Sequence, residues 1–178
     1  MQNREGVINM AQLHTSADTS INRNKLPAIY GKARKHGYLK ANMKVLDYGC
    51  GKFPQLAQNY LESIGACYIG YDKYNLSNND NARAFLYGIY TGYDLVLCSN
   101  VLNVIDDDDE MKNVIKKCMD LTRGNAIFTV YEKDKSGNGK ETKPDCYQRN
   151  QPIGFYQNVI ELMGYNVERV DGMLVVSK

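Results

Sequence analysis

The chain has no tryptophan, only four prolines and only two histidines, His14 and His36. So little histidine leaves small scope for a histidine-built metal centre, and no grouping of His, Cys and acids has metal-ligand spacing. No window approaches the roughly 18–20 consecutive apolar residues that a membrane-spanning helix needs, so no membrane partner is expected. The opening residues are polar and lack the apolar stretch of roughly 7–15 residues that marks a secretory signal. The cysteines, Cys50, Cys67, Cys98, Cys118 and Cys146, are odd in number, and no two form a Cys-x-x-C pair. Neither a disulfide framework nor a zinc ribbon fits them. Reduced thiols in a cytoplasmic protein are the expectation. A Gly-x-Ser-x-Gly nucleophile elbow and a phosphate-binding loop are also absent.

What is present is a chain of 178 residues, 43% apolar and 24% charged. A domain of this size buries roughly 70% of the surface its unfolded chain exposes, enough for a core without staples. The net charge is only +2, but it is uneven. Arg4, Arg23, Lys25, Lys32, Arg34, Lys35, Lys40 and Lys44 outnumber Glu5 and Asp18 in the first part of the chain. Such a segment can attract an anionic substrate or simply form a solvated helix face. Asp106 to Glu110 is an unbroken acidic run. Acids in a first helical turn meet the positive end of the helix dipole, which explains the run without a metal.

The order of elements follows from periodicity and from turn residues. Asn22 or Asn24 can cap a first helix, with Pro27 in its first turn and Gly37 as its stop. Lys44 to Tyr48 reads as a buried strand, Pro54 to Ile64 as a helix stopped by Gly65, and Ala66 to Tyr71 as a second strand. Ala82 to Tyr90 fits either a helix or a shortened strand. Tyr93 to Cys98 is a buried strand. The acidic run opens a helix that Gly124 is expected to end, and Ala126 to Tyr131 is the next strand. A polar insertion, 132–151, precedes a helix over 153–163. Two closing strands flank Asp171-Gly172, a strong hairpin signal. Strands alternating with helices imply an α/β fold with a mainly parallel sheet covered on both faces. Ligands of such sheets sit at the carboxyl ends of the strands, near the switch in strand order.

The segment with the most chemistry is Val45-Leu46-Asp47-Tyr48-Gly49-Cys50-Gly51. Its glycines let the backbone turn tightly and approach a ligand. Asp47, at the end of the first strand, can meet a cationic amino acid group directly or through water. Asp72, at the tip of the second strand, can accept hydrogen bonds from a ribose diol. A nicotinamide site reads Gly-x-Gly-x-x-Gly, but its third glycine would fall at Pro54. An acid just before the glycines also disfavours a pyrophosphate.

These residues resemble the class I S-adenosylmethionine-dependent methyltransferases over roughly residues 25–178. The first motif is Val45 to Gly51, Asp72 matches the ribose-binding acid, and Tyr93 to Leu102 matches the family's fourth strand and the loop after it. The resemblance implies a Rossmann-like three-layer αβα sandwich with an antiparallel C-terminal hairpin. It implies a flexible lead, 1–24, ahead of a single cofactor-binding domain, 25–178, and S-adenosylmethionine as cofactor. Asp47, Gly49, Cys50 and Gly51 fall to its methionine end, Asp72 to the ribose and Asp80 to the adenine. Ser99, Asn100 and Val101 fall where the cofactor meets the acceptor, with Ser99 and Asn100 as the catalytic candidates. Phe53 stands where the family has a third glycine. Asn103-Val104 stands where many relatives carry Glu-His, so no histidine base is expected there.

The acceptor is open between a small molecule and a nucleic acid. The Asp/Asn-Pro-Pro-Tyr motif of DNA amino-methylating relatives is replaced here by Ser99-Asn100-Val101-Leu102. Tyr147, Gln148 and Arg149 are candidates for stacking on and hydrogen-bonding a planar acceptor. His14-Thr15-Ser16 and Thr19 to Asn22 can fold over the cofactor. Two other readings are a module that binds the cofactor without transferring methyl, and an enzyme that cleaves the cofactor's sulfonium.

Overall fold

The computed structural model describes residues 12–19 and 23–178. Helix α1 (Ala28–Lys35) leads to β1 (Lys44–Tyr48), α2 (Gln55–Ser63), β2 (Cys67–Tyr71), α3 (Asn78–Thr91) and β3 (Tyr93–Ser99). Then come α4 (Asp108–Leu121) and β4 (Thr122–Thr129), and a small hairpin of β5 (Lys140–Lys143) and β6 (Cys146–Gln148). Helix α5 (Ile153–Leu162) and strands β7 (Asn166–Val170) and β8 (Met173–Ser177) close the fold. Six strands form one sheet in the order β2-β1-β3-β4-β8-β7, and β5-β6 stands apart. Strands β2, β1, β3 and β4 are parallel, while β8 runs antiparallel to β4 and β7 to β8. The order reverses between β1 and β3, which opens a crevice at their carboxyl ends.

The sheet separates two cores. On one face α3, α4 and α5 bury Met111, Ile115, Met119, Tyr156 and Ile160 against Val96, Cys98 and Phe128. On the other, α1 and α2 bury Ile29, Tyr30, Ala57 and Leu61 against Val45, Leu95 and Leu97. Successive strand side chains point to opposite faces, so the Leu95-Val96-Leu97-Cys98 run feeds both cores alternately. A strand buried on both sides reads as a continuous apolar run, and each such leucine contributes about 1.5–3 kcal/mol of burial. The layering is the expected αβα sandwich. Asp171 (φ 50°) and Gly172 (φ 74°) make the expected turn, with Val170 facing Met173 across it.

Several local expectations fail for identifiable reasons. Pro27 occupies the N-cap of α1 with no capping side chain, so Asn24 lies too early to serve; Asn22 lies outside the described residues. Residues 82–90 are helical, and no strand intervenes between Asp72 and α3. Tyr93–Ser99, matched to the family's fourth strand, is therefore the third strand here, and β2 is an edge. Gly124 does not stop α4, which ends at Leu121 and passes directly into β4. A side chain on Gly124 would collide with the Asp94 carbonyl oxygen, so that glycine serves the close approach of β4 to β3. The acidic run is divided. Asp107 caps α4 by accepting from Glu110 N–H (2.6 Å), and Asp106 stays outside the helix.

Candidate functional site

Strand β1 ends at Tyr48, and the chain turns through Gly49 (φ 79°), Cys50 and Gly51 (φ 71°). Left-handed backbone favours glycine, and a side chain at Gly49 would also overlap Val101. The loops after β1 and β3 are therefore packed on one another. Gly49 N–H and Cys50 N–H both donate to the Tyr71 carbonyl (2.7 and 3.1 Å). Gly51 N–H donates to Asp72 Oδ2 (2.8 Å), which ties the turn to the end of β2. Asp72 Oδ1 accepts from Tyr74 N–H, Asn75 N–H and Asn75 Nδ2 (3.0, 2.9 and 3.0 Å). That oxygen is committed to the turn, whereas Oδ2 has one protein partner among the described residues. A carboxylate oxygen accepts about two hydrogen bonds, so Oδ2 keeps capacity for a ligand.

Asp47 and Cys50 lie beneath this turn. Both are buried, and neither lines the cavity described next. The Tyr68 hydroxyl donates to Asp47 Oδ2 (3.4 Å). Burial raises the Asp47 carboxyl to a pKa of about 6, partly offset by the hydroxyls of Tyr30 and Tyr68. Burial, with Asp47 and Asp72 nearby, pushes the Cys50 thiol up to about 12. A thiol held protonated is inert.

Above the turn is a cavity of about 510 Å³. Gly49, Gly51, Tyr71 and Asp72 line one side, and Ser99, Asn100 and Val101 line the region beside them. Asn100 adopts φ 57°, and its N–H donates to the Thr129 carbonyl (2.8 Å). The Thr129 hydroxyl donates to Ser99 Oγ (3.1 Å). The opposite wall is formed by Asn103, Tyr131, Tyr147 and Gln148. Asn103 is buried and organises that wall: Nδ2 donates to Gln148 Oε1 (3.0 Å), and Oδ1 accepts from Tyr131 N–H (3.3 Å). Gln148 Nε2 donates to the Tyr131 carbonyl (2.8 Å).

Residues 12–19 form a strap across this cavity, with Thr15, Ser16, Ala17 and Thr19 on its wall. The strap is irregular apart from a 3-10 turn at Ala17–Thr19, yet it is tied at many points. His14 Nδ1 lies 2.5 Å from Asp106 Oδ2, and its ring stacks on Tyr147. Thr15 N–H donates to Asp145 Oδ1 (2.8 Å). Ser16 Oγ donates to the Val104 carbonyl (2.8 Å) and accepts from Tyr147 N–H (3.1 Å). Asn75 Nδ2 donates to the Ala17 carbonyl (3.4 Å), and Lys52 pairs with Asp18. The strap thus joins the glycine turn, the Asp72 turn, the loop after β3 and the β5-β6 hairpin.

Besides Asp47 and Cys50, two predicted residues lie off the cavity wall. Asp80 is in the first turn of α3, where it accepts from Ser77 Oγ (2.6 Å), and it borders a separate groove. Arg149 is buried behind the wall, with Nε donating to the Ile105 carbonyl (2.5 Å) and Nη1 to Asp108 Oδ1 (2.6 Å). It fastens the hairpin to the start of α4. Asn103 was not singled out by sequence reasoning as a cavity residue; its one signal was its place after the β3 loop. Of the segments expected to fold over a cofactor, Thr15, Ser16 and Thr19 line the cavity and His14 does not, whereas residues 20–22 lie outside the described residues.

No family model and no curated protein matches the sequence. Solved structures do. A SAM-dependent methyltransferase from Aquifex aeolicus superposes with a TM-score of 0.56 at 14% identity, over 88% of this chain and 93% of that one. Another from Archaeoglobus fulgidus gives 0.53 at 17% identity, over 79% and 70%. The fold is that of the class I S-adenosylmethionine-dependent methyltransferases. A structure from Rhodobacter sphaeroides named for Zn-dependent alcohol dehydrogenases also reaches 0.56, at 10% identity over 85% and 89%. At such identities the likeness concerns the fold, and the chemistry has to be argued from the cavity. The glycine turn, the tip of β2 and the loop after β3 meet at the switch point of this methyltransferase fold, where such sheets bind ligands.

Proposed function

We propose that the chain binds S-adenosylmethionine in this cavity and transfers its methyl group to a small-molecule acceptor held under the strap and hairpin. The carrying observation is convergence. The glycine turn, Asp72 and the Ser99–Val101 loop share one cavity with Tyr147 and Gln148. The donor set suits the cofactor. Asp72 Oδ2 offers acceptor capacity to a ribose diol, and the tyrosines Tyr48 and Tyr71 present flat apolar surface on the cavity wall. Asp47 supplies negative charge from below for a cationic amino acid end.

S-adenosylmethionine, when bound, brings a methyl group already activated by its sulfonium. The protein's task is alignment and exclusion of water. Ser99 and Asn100 border the junction between cofactor and acceptor. Asn103 fixes Gln148 and Tyr131 as a pre-set acceptor wall. The strap and hairpin cover part of the cavity and leave the rest open to solvent. A small acceptor fits the covered part of this volume, whereas a nucleic acid would have to approach past the strap and hairpin. The basic helix α1 gives no help to a nucleic acid there, because Lys32, Lys35 and His36 face Asp171, away from the cavity.

Calorimetric titration with S-adenosylmethionine and S-adenosylhomocysteine tests the first half. Binding is expected, and Asp72→Ala is expected to weaken it by about 1–3 kcal/mol through loss of a charged acceptor. Unchanged affinity in that variant removes the assignment. A radiolabelled-methyl screen over metabolite, nucleic-acid and protein fractions tests the second half, with label expected in metabolites. Label in nucleic acid or protein overturns the acceptor class. Binding with no label anywhere favours a binding module, and cofactor breakdown without an acceptor favours sulfonium cleavage.

A further inference from the structure

The sheet has two edges, and they differ. Strand β7 reads Asn166-Val167-Glu168-Arg169-Val170, with charges on the strand and Glu168 accepting from the Tyr38 hydroxyl (3.1 Å). Strand β2 reads Cys67-Tyr68-Ile69-Gly70-Tyr71, with no charge and no proline. Edge strands are normally guarded by charge, proline or a bulge, and β2 has none of these. Cys67 N–H donates to the Met43 carbonyl, and the Tyr71 carbonyl accepts from Gly49 and Cys50. Residues 67, 69 and 71 therefore turn their backbone groups toward β1, and Tyr68 and Gly70 turn theirs outward. Among the described residues no strand of the sheet lies beyond them. A groove of about 450 Å³ runs along this edge between α2 and α3, bordered by Tyr68, Gly70, Arg83 and Tyr87.

We propose that the β2 edge pairs with the β2 edge of a second copy, antiparallel about a two-fold axis at Ile69, giving one continuous sheet across a homodimer. Outward groups at Tyr68 and Gly70 flank Ile69 symmetrically, so each Tyr68 meets Gly70 of the other copy in a hydrogen-bonded pair. Helix α3 supports the same axis independently. Asp72 N–H donates to Asn81 Oδ1 (3.0 Å) and Asn81 Nδ2 donates to the Asp72 carbonyl (2.8 Å), which fixes Asn81 level with the top of β2. Ile69 lies about 10 Å lower at ~3.3 Å per strand residue. At ~1.5 Å per residue, that level falls about seven residues along α3, near Gly88. A two-fold axis there sets Leu86 against Tyr90 of the other copy. Leu86 and Tyr90 are 52% and 79% exposed, one turn apart, on the flank of α3 next to Arg83 and Tyr87. An axis normal to the sheet keeps both α3 helices on one face, so this apolar row is covered by its own copy. Strand pairing supplies register, and the helix row adds apolar burial to it.

Sedimentation of the full chain from low to high micromolar concentration tests this. A species of twice 20.2 kDa is expected. The double variant Leu86→Glu/Tyr90→Glu, at exposed positions away from the cavity, is expected to weaken association by roughly tenfold or more. Its circular dichroism should be unchanged. Cys67 is the exposed cysteine, the other four being buried. In the proposed register the two Cys67 residues are separated by about 13 Å along the strands. A bismaleimide of that reach should join two wild-type chains and fail on Cys67→Ser. A monomer at every concentration overturns the proposal, as does a dimer that persists in the double variant or gives no Cys67 cross-link.

Discussion

Asp47 is the residue whose environment makes the sharpest demand. It sits near the end of strand β1, which is buried from Val45 to Tyr48, and burial lifts its carboxyl from 3.8 to about 6. A raised folded-state value means that the native state binds the proton more tightly than the unfolded chain. The sign is therefore opposite to that of a salt-bridged acid. The stabilisation is fully present below about pH 4 and is lost as pH rises through about 6. A shift of about two units corresponds to about 3 kcal/mol, and relaxation brings the expected effect to about 1–3 kcal/mol. Asp47→Asn keeps an oxygen for Tyr68 and removes the charge. Denaturant unfolding at pH 4 and pH 8 should show the wild type losing about that much more stability than the variant. Parallel pH profiles for the two proteins would dismiss the buried-charge account. Retaining such a charge costs stability at neutral pH, and the cationic ligand proposed above the glycine turn would give that cost a use.

The strap shows how elements depend on one another. Ser16 is buried, and its hydroxyl both donates to the Val104 carbonyl and accepts from Tyr147 N–H. One side chain thus joins the lead, the loop after β3 and strand β6. Ser16→Ala removes both bonds, and leaving a buried N–H unpaired costs about 1–3 kcal/mol. Because the strap roofs the cavity, the loss should appear as faster ligand release. A rise of roughly tenfold in the cofactor's dissociation rate by stopped flow is expected, with global stability changed less. An unaltered rate would mean that the strap does not gate the cavity. This scale is also where legibility in the sequence divides. Strand β1 and its glycine turn were readable because burial and positive φ each restrict residue type, at Val45, Leu46, Gly49 and Gly51. The β5-β6 hairpin was not readable. Lys140–Lys143 is wholly exposed and carries no alternation, and the three residues of β6 are too few to show one, Gln148 being held by Asn103. Gly124 misled because a helix stop and a close approach of strands call for the same residue. Asp80, offered for the adenine, lies in the first turn of α3, where an acid also serves the helix itself.

At the scale of the whole molecule, the parallel strands β2, β1, β3 and β4 deliver their carboxyl ends to one side, where the strap and hairpin partly cover the cavity. The glycine turn, the Asp72 turn and the β3 loop come from separate segments, and they meet only when the sheet is assembled. A ligand gripping all three must therefore favour the folded state over the unfolded chain. At about a hundred times its dissociation constant, such a ligand adds about 2.7 kcal/mol. For a chain of this length each kcal/mol raises the melting temperature by roughly 2–4 °C. A rise of about 5–10 °C with S-adenosylmethionine or S-adenosylhomocysteine is the expectation, growing with the logarithm of concentration and read by differential scanning fluorimetry. Nicotinamide cofactors should produce none, since the turn lacks the third glycine and Asp47 opposes a pyrophosphate. Asp72→Ala should need roughly tenfold more ligand for the same rise, because a loss of about 1.4 kcal/mol is a factor of ten in affinity. A melting temperature that ignores S-adenosyl ligands yet responds to a nicotinamide would reassign the cavity. The sheet order would stand, because it is built by the two apolar cores and not by the ligand.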